Sequence, residues 1–386
     1  MYDFFVPNVN FFGKGTVEVV GERCAILGGK RALIVTDSFL KNLANGPVSK
    51  VVESLREANM EVAYFDGVEP NPKDFNIYDG LKVYKENSCD LIVTVGGGSA
   101  HDCGKGIGIA ATHDGDLYSD YAGIEKLENP LPPIVCVNTT AGTGSEVTRH
   151  CVITHSEKKI KYVIVSWRNT PLVSINDPEL MLDKPAGLTA ATGMDALTHA
   201  VESYISLGAN PITDSMAIQA IKLVSNNLRQ AVAFGRNVEA RENMAYASIL
   251  AGMAFNNAGL GYVHAMAHQL GGLYDIPHGV ANAVLLPHVL EYNIISNVDK
   301  FADLAEFMGE NIAGLSKRDA ADKAIHAIKK LSEDVKIPSN LKALGVKRED
   351  FDLMATLALE DGNAISNPIQ GKKEDIIRIF EAAYKG

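Results

Sequence analysis

The stretch Asp90-Leu-Ile-Val-Thr-Val-Gly-Gly-Gly-Ser-Ala-His-Asp102 is an unbroken apolar run that ends in three glycines and then turns into a helical pattern. A strand covered on both faces needs such a run. Glycines let the backbone approach a ligand closely, and a helix that begins behind them offers unpaired N–H groups to a phosphate. Residues 102–111 supply the helical pattern. A glycine triplet after a strand also serves as a plain turn, and its spacing matches neither G-x-G-x-x-G nor G-x-x-x-x-G-K-[ST]. The strand before it and the serine after it favour phosphate binding.

The same texture extends outward on both sides. Residues 31–37 form a buried-strand run that ends in an acid, 48–59 an amphipathic helix, 61–65 a strand and 75–87 a helix. On the other side, 133–138 reads as a strand, and 163–165 and 172–175 as further ones. Strands alternating with helices predict a parallel sheet with helices on both faces. From about Leu188 the chain becomes helical throughout, with long Ala/Leu-rich stretches at 212–233, 239–256 and 317–335. The expected organisation is therefore an α/β N-terminal Rossmann-like domain over 1–185 and an all-α C-terminal domain over 186–386, with the seam at 183–187.

Asp37 ends the strand at 31–37. An acid there can hydrogen-bond ribose hydroxyls and repels a 2′-phosphate, which favours NAD over NADP. The same residue can equally cap a helix starting at Ser38. In the standard dinucleotide fingerprint the acid follows the glycines by about 20 residues. Here it precedes them, so a nucleotide-binding relative with different connectivity is expected. A second small, hydroxyl-rich loop, Thr139-Thr-Ala-Gly-Thr-Gly-Ser-Glu146, follows the strand at 133–138. Two such loops suggest one extended polar ligand across the sheet edge.

In the helical half, Asp195 and His199 stand four apart, as do His264 and His268. On a helix each pair shares one face, one turn apart. His278 follows on a predicted loop. A lone helical histidine is usually a surface or core residue, but paired ones amid Ala, Gly and Met, with no adjacent counter-charge, point to a metal. These five residues offer four ligands and a spare imidazole. Nitrogens with one carboxylate suit Fe(II) or Zn(II) better than Mg or Ca.

Composition bounds the rest. The 386 residues carry 36 basic and 47 acidic side chains, a formal charge of −11, which argues against nucleic acid or an anionic membrane as partner. With 46% apolar and 22% charged residues the chain reads as globular. Five cysteines without C-x-x-C spacing disfavour a thiolate metal site and a disulfide framework, so a reducing, cytoplasmic setting is expected. The start Met1-Tyr-Asp-Phe-Phe-Val-Pro7 lacks the pattern of a signal peptide, and no apolar run is long enough to span a membrane.

These motifs closely resemble those of the iron-dependent (group III) alcohol dehydrogenases, in the branch of the bacterial methanol and 1,3-propanediol dehydrogenases. The resemblance rests on the Gly96–Asp102 and Thr139–Glu146 loops and on Asp177-Pro-Glu-Leu-Met181. Three further runs add to it: 187–202, 261–271 and Pro277-His-Gly-Val-Ala-Asn282. It covers essentially the whole chain. It implies a dehydroquinate synthase-like architecture, NAD as cofactor, and one divalent metal, Fe(II) expected with Zn(II) as the alternative. Asp195, His199, His264 and His278 match the family's metal ligands, and His268 its catalytic, non-ligating histidine. Gly97, Gly98 and Ser99 match the pyrophosphate loop, while Asp37, Asn71, Asp102, Thr139, Thr140, Thr143, Lys161 and Leu180 match other cofactor contacts. Phe255 and Leu260 match substrate-pocket positions.

Four positions depart from the family pattern, one of them Ile369, which follows Asn367-Pro368 where arginine is usual. Gly104 stands where alanine is usual, a change expected to cost helix stability. His150 and Asn363 replace pocket residues and add hydrogen-bonding capacity, which tilts the expected substrate towards diols. The expected reaction interconverts small primary alcohols or diols and aldehydes in a homo-oligomer, dimer or larger ring. Two alternatives share the scaffold, a zinc-dependent, glycerol dehydrogenase-like enzyme and a lyase of the dehydroquinate synthase type. A third is a non-catalytic nucleotide sensor.

Overall fold

The computed structural model describes residues 3–386, which divide into two compact units. One comprises Phe5–Thr140 and Gly144–Asp183. The other comprises Lys184–Gly386 together with residues 3–4 and the short segment Ala141–Thr143.

The first unit is built on strands β1 (Val9–Phe12), β2 (Arg31–Val35), β3 (Glu61–Phe65), β4 (Leu91–Gly96), β5 (Gly123–Ile124), β6 (Ile134–Asn138), β7 (His150–His155), β8 (Ile160–Val165) and β9 (Val173–Asn176). Its helices are α1 (Val20–Ile26), α2 (Ser38–Asn42), α3 (Pro47–Glu57), α4 (Asp74–Glu86) and α5 (Gly98–Thr112). Six strands make a parallel sheet in the order β1-β9-β6-β4-β2-β3.

The apolar runs are continuous because successive side chains feed different layers. Leu91, Val93 and Ala32, Ile34 join one buried cluster, with Val51 and Leu55 of α3. Ile92, Leu33 and Val35 join the other, with Ile77 of α4 and Ile107 of α5. Gly104 lies on the α5 face that meets β4: a Cβ there would come 2.2 Å from Thr94 Cγ2. A side chain there would have to displace Thr94, so close packing of helix on strand favours glycine beside its expected cost to the helix.

Strands β3 and β4 flank β2 on opposite sides. The chain therefore reverses its direction of travel across the sheet at β2, and the carboxyl ends of β2 and β4 border the switch point where open α/β sheets bind ligands. Asp37 follows β2 and the glycines follow β4, which accounts for the inverted order of acid and glycines. Helix α5 starts at Gly98 rather than at Asp102, so Gly98 and Ser99 are its first helical residues. Edge strand β1 and a small sheet, β5-β8-β7, go beyond the sequence expectation, and the strand read at 163–165 extends over Ile160–Val165.

The second unit contains α6 (Ala186–Ile205), α7 (Pro211–Ala233), α8 (Val238–Ala258), α9 (Tyr262–Tyr274), α10 (His278–Asn293), α11 (Val298–Phe307), α12 (Lys317–Asp334), α13 (Phe351–Glu360) and α14 (Lys373–Lys385). Helix α6 is buried almost all round from Thr189 to Ile205, as its small and apolar residues allow. Asn210 starts α7 with a capping box to Thr213, and Pro211 takes the first turn, where its missing N–H costs nothing. Among the described residues no helix is long and apolar enough to cross a membrane.

Candidate metal and cofactor sites

Helix α6 carries Asp195 and His199 on one face, α9 carries His264, and α10 opens with His278. One ligand atom from each of these four lies within 4.8 Å of all the others. His278 is the first residue of α10, not a loop residue as the Pro277-His-Gly pattern suggested. Asp195, His199 and His264 are buried. One carboxylate and three imidazoles converging in a largely buried site form a donor set that a single divalent cation can satisfy.

The rings are held from behind. Nδ1 of His264 lies 2.5 Å from Glu202 Oε2, and Glu202 Oε1 accepts the Val263 N–H at 2.7 Å. Burial pushes the Glu202 carboxyl up to about 8 and pushes His264 well below the usual histidine range. Nδ1 of His199 lies 3.3 Å from the Gly142 carbonyl, while its ring stacks on Phe255 at 4.5 Å. With Nδ1 engaged in this way, Nε2 is the nitrogen left to bind metal. The amide Nδ2 of Asn282 donates to Asp195 Oδ1 at 2.7 Å and lies 3.1 Å from Nε2 of both His264 and His278. Asn282 thus holds the Asp195 carboxylate at the point where Nε2 of His264 and Nε2 of His278 converge. The donor set fits a borderline ion such as Fe(II) or Zn(II).

His268 stands apart from this set. It sits one turn beyond His264, its ring stacks against His278 at 5.6 Å, and its Nδ1 lies 2.7 Å from Asp361 Oδ2. Phe255 and Leu260 are buried in the same unit. Asn363 lies beside this pair: its backbone N–H and its Nδ2 both donate to Asp361 Oδ1, each at 2.9 Å. One side-chain N–H is thus engaged by Asp361, and the amide keeps a second N–H and its carbonyl oxygen as further hydrogen-bonding groups. His150 lies on β7 of the α/β unit.

The residues expected to meet NAD gather mainly at the carboxyl ends of the parallel strands. Gly97 precedes α5, which has no side-chain cap, so the first amides of α5 belong to Gly98 and Ser99. A Cβ on Gly97 would lie 2.6 Å from Thr140 Oγ1, so glycine is what lets the two loops meet. The Thr139 amide donates to Gly96 O at 2.9 Å, and the Thr140 amide to Asn138 Oδ1 at 3.0 Å. Lys161 Nζ donates to Asn71 Oδ1 at 2.7 Å. This small-residue cradle with an open helix N-terminus fits a pyrophosphate.

Other expected cofactor contacts have structural duties. Asp37 Oδ1 caps α2 by accepting the Leu40 N–H at 2.8 Å. Asp102 is buried within α5 and accepts the Ser145 hydroxyl at 2.7 Å. Leu180 packs against one of the two sheet layers. Thr143 belongs to the helical unit.

Several residues received no role from sequence. Glu202, Asn282 and Asp361 orient the histidine cluster, and Gly142 holds His199. Lys105 is fully buried, and its Nζ donates to Ser145 O (2.7 Å), Ser145 Oγ (2.9 Å), Thr148 O (3.0 Å) and His150 O (2.8 Å). It pins the segment after the threonine loop onto α5. Glu202 and Asn282 lie inside motifs already singled out, which was the one available signal.

Two family profiles match the chain. "Iron-containing alcohol dehydrogenase" matches residues 7–178, and "Fe-containing alcohol dehydrogenase family, C-terminal" matches residues 189–384. The 1,3-propanediol dehydrogenase of Citrobacter freundii is 70% identical over 384 residues, covering 100% of this chain and 99% of the relative. The NAD-dependent methanol dehydrogenase of Bacillus methanolicus is 47% identical over 99% of this chain and 100% of its own. A solved 1,3-propanediol oxidoreductase superposes with a TM-score of 0.96 at 69% identity, covering 100% of both chains.

Proposed function

The chain belongs to the iron-containing alcohol dehydrogenase family, and on that premise we propose that it interconverts small primary alcohols or diols and their aldehydes, with 1,3-propanediol as the preferred diol. It is an oxidoreductase that uses NAD and one divalent metal. The constellation of Asp195, His199, His264 and His278 carries the proposal. The 70% identity to a 1,3-propanediol dehydrogenase supports the choice of diol.

When bound, the metal supplies Lewis acidity to the substrate hydroxyl and NAD accepts the hydride. The remaining work falls to side chains and backbone. Asp195, His199, His264 and His278 hold the ion. The amides of Gly98 and Ser99 at the start of α5, with Gly97, Thr139, Thr140, Lys161, Asn71 and Asp37, bind and orient the dinucleotide. Asp102, which holds the Ser145 hydroxyl, and Leu180 complete the set of cofactor contacts. Phe255 and Leu260 exclude water at the metal end. His268 carries the hydroxyl proton to solvent through Nε2. His150 and Asn363 belong to the pocket rim, where Asn363 acts by steadying Asp361.

Iron is the proposed metal. A cytoplasmic setting accords with five free, buried cysteines, and a homo-oligomer with the exposed outer side of edge strand β1. The deciding experiment is one purification with elemental analysis, followed by NAD-linked rates across a C1–C4 alcohol and diol series before and after chelation. Stoichiometric metal, chelation-sensitive turnover and the highest kcat/KM on the C3 diol are expected. Full turnover after complete metal removal would end the proposal.

A further inference from the structure

The carboxylate of Asp361 faces His268 from a part of the chain 93 residues away, with Oδ2 2.7 Å from the imidazole Nδ1. Its other oxygen accepts two N–H groups of Asn363, from the backbone and from the side chain. The His268 and Asp361 side chains are 6% and 9% exposed, so water competes little for this contact. Burial alone would raise the Asp361 carboxyl, but the facing imidazole and the Asn363 donors outweigh it and hold the group below its ordinary value. A carboxylate that already accepts three donors is fixed in place, and an ionised carboxylate can only accept.

We infer that Asp361 is a positioning residue: it confines the His268 proton to Nδ1 and leaves Nε2 as the acceptor for the proton that alcohol oxidation releases. The inference rests on the proton-relay reading of His268 given above. In that step the carbinol C–H bond breaks and its electron pair leaves as hydride to the nicotinamide carbon of NAD. The O–H bond breaks, its electrons form the C=O bond, and its proton goes to His268 Nε2 and onward to solvent. A neutral imidazole has one donor and one acceptor nitrogen, and the hydrogen bond at one decides the other. Asp361→Asn is close to isosteric and still caps the turn at Gly362–Ser366. Its amide group, however, can donate to Nδ1 and so favours the wrong tautomer, as an Asp→Asn change does beside the serine-protease histidine.

The test uses the metal-loaded enzyme for kinetics and the ¹⁵N-histidine-labelled chain without metal for tautomers. D361N should lower kcat by about 10–100-fold, with metal content and the KM for NAD within twofold of the parent. D361E should recover part of the loss. The double variant D361N/H268A should be no slower than H268A alone, because Asp361 acts through His268. In the parent spectrum His268 should show a protonated Nδ1 and a bare Nε2, and D361N should shift this towards the opposite form. Independent, multiplying effects of the two substitutions, or a His268 tautomer unchanged in D361N, would overturn the inference. An H268A enzyme with parental turnover would instead remove the relay reading beneath it, a result distinct from the tautomer measurement.

Discussion

Glu202 Oε2 and His264 Nδ1 lie 2.5 Å apart, though 62 residues separate them in the chain. The contact turns Nε2 of His264 towards Asp195 and His278. Removing the carboxylate frees the ring without touching a ligand atom. Glu202→Ala is therefore expected to weaken metal binding about 10–100-fold, as read by competition with a chromophoric chelator. An unchanged affinity would mean that α9 packing alone orients the ring.

His264→Ala removes a ligand outright. Metal and activity should disappear together while the helical circular dichroism persists, because the loss is confined to a polar site. A His264→Ala enzyme with stoichiometric metal and ordinary turnover would contradict the ligand assignment.

Gly142→Ala tests the carbonyl that faces His199. A methyl there would lie 2.8 Å from Thr192 Cβ and 2.9 Å from the Thr192 carbonyl oxygen. The segment must shift and take the Gly142 carbonyl with it. A destabilisation of about 1–3 kcal/mol is expected, together with faster metal loss to chelator. Retention of parental metal half-life would show that His199 does not depend on this contact.

Gly104→Ala offers a test of packing against propensity. Alanine would favour the helix by about 1 kcal/mol on propensity alone. Its methyl would lie 2.2 Å from Thr94 Cγ2, so the sign is expected to reverse and the variant to melt lower than the parent. Thermal melts of the two proteins settle the sign.

Glu146 predicts a pH dependence of stability. Burial pushes its carboxyl up to about 7 from an ordinary 4.5. The folded chain thus holds this proton more tightly than the unfolded chain. Its unfavourable contribution is absent below pH 4.5, grows as the pH rises, and reaches its full size above pH 7. Glu146→Gln keeps an acceptor for the Asn138 amide, 2.9 Å away, and removes the charge. The variant should melt above the parent at pH 8, with the advantage fading towards pH 4.5. An advantage that does not change with pH would refute the buried-charge explanation.

The parallel sheet was legible because its central strands β2, β4 and β6 must be apolar on both faces, so their runs stand out. β1 is a four-residue edge strand, β5 has two residues, and β7 mixes His150, Thr154 and His155 with apolar residues, so none carries such a run. The histidine spacing located a cluster because i and i+4 on one helix face is a local property. What orients the cluster is not local. Glu202, Asn282 and Asp361 reach partners 62, 87 and 93 residues away, and no periodicity encodes such pairings. Asp37 shows the opposite case: capping and ribose binding both suit an acid at that point, and the capping contact is formed.

Ala141–Thr143 belongs to the helical unit although the chain on either side of it belongs to the α/β unit. The Gly142 amide donates to Ser248 Oγ at 2.8 Å, and its carbonyl faces His199. The metal-binding half is consequently not a detachable module. A gene fragment starting at Lys184 would encode the four candidate ligands but not this brace, so recombination that swaps halves at the apparent seam must also match residues 141–143 to their new host. Exchange of helical halves between relatives should succeed only where those three residues travel along.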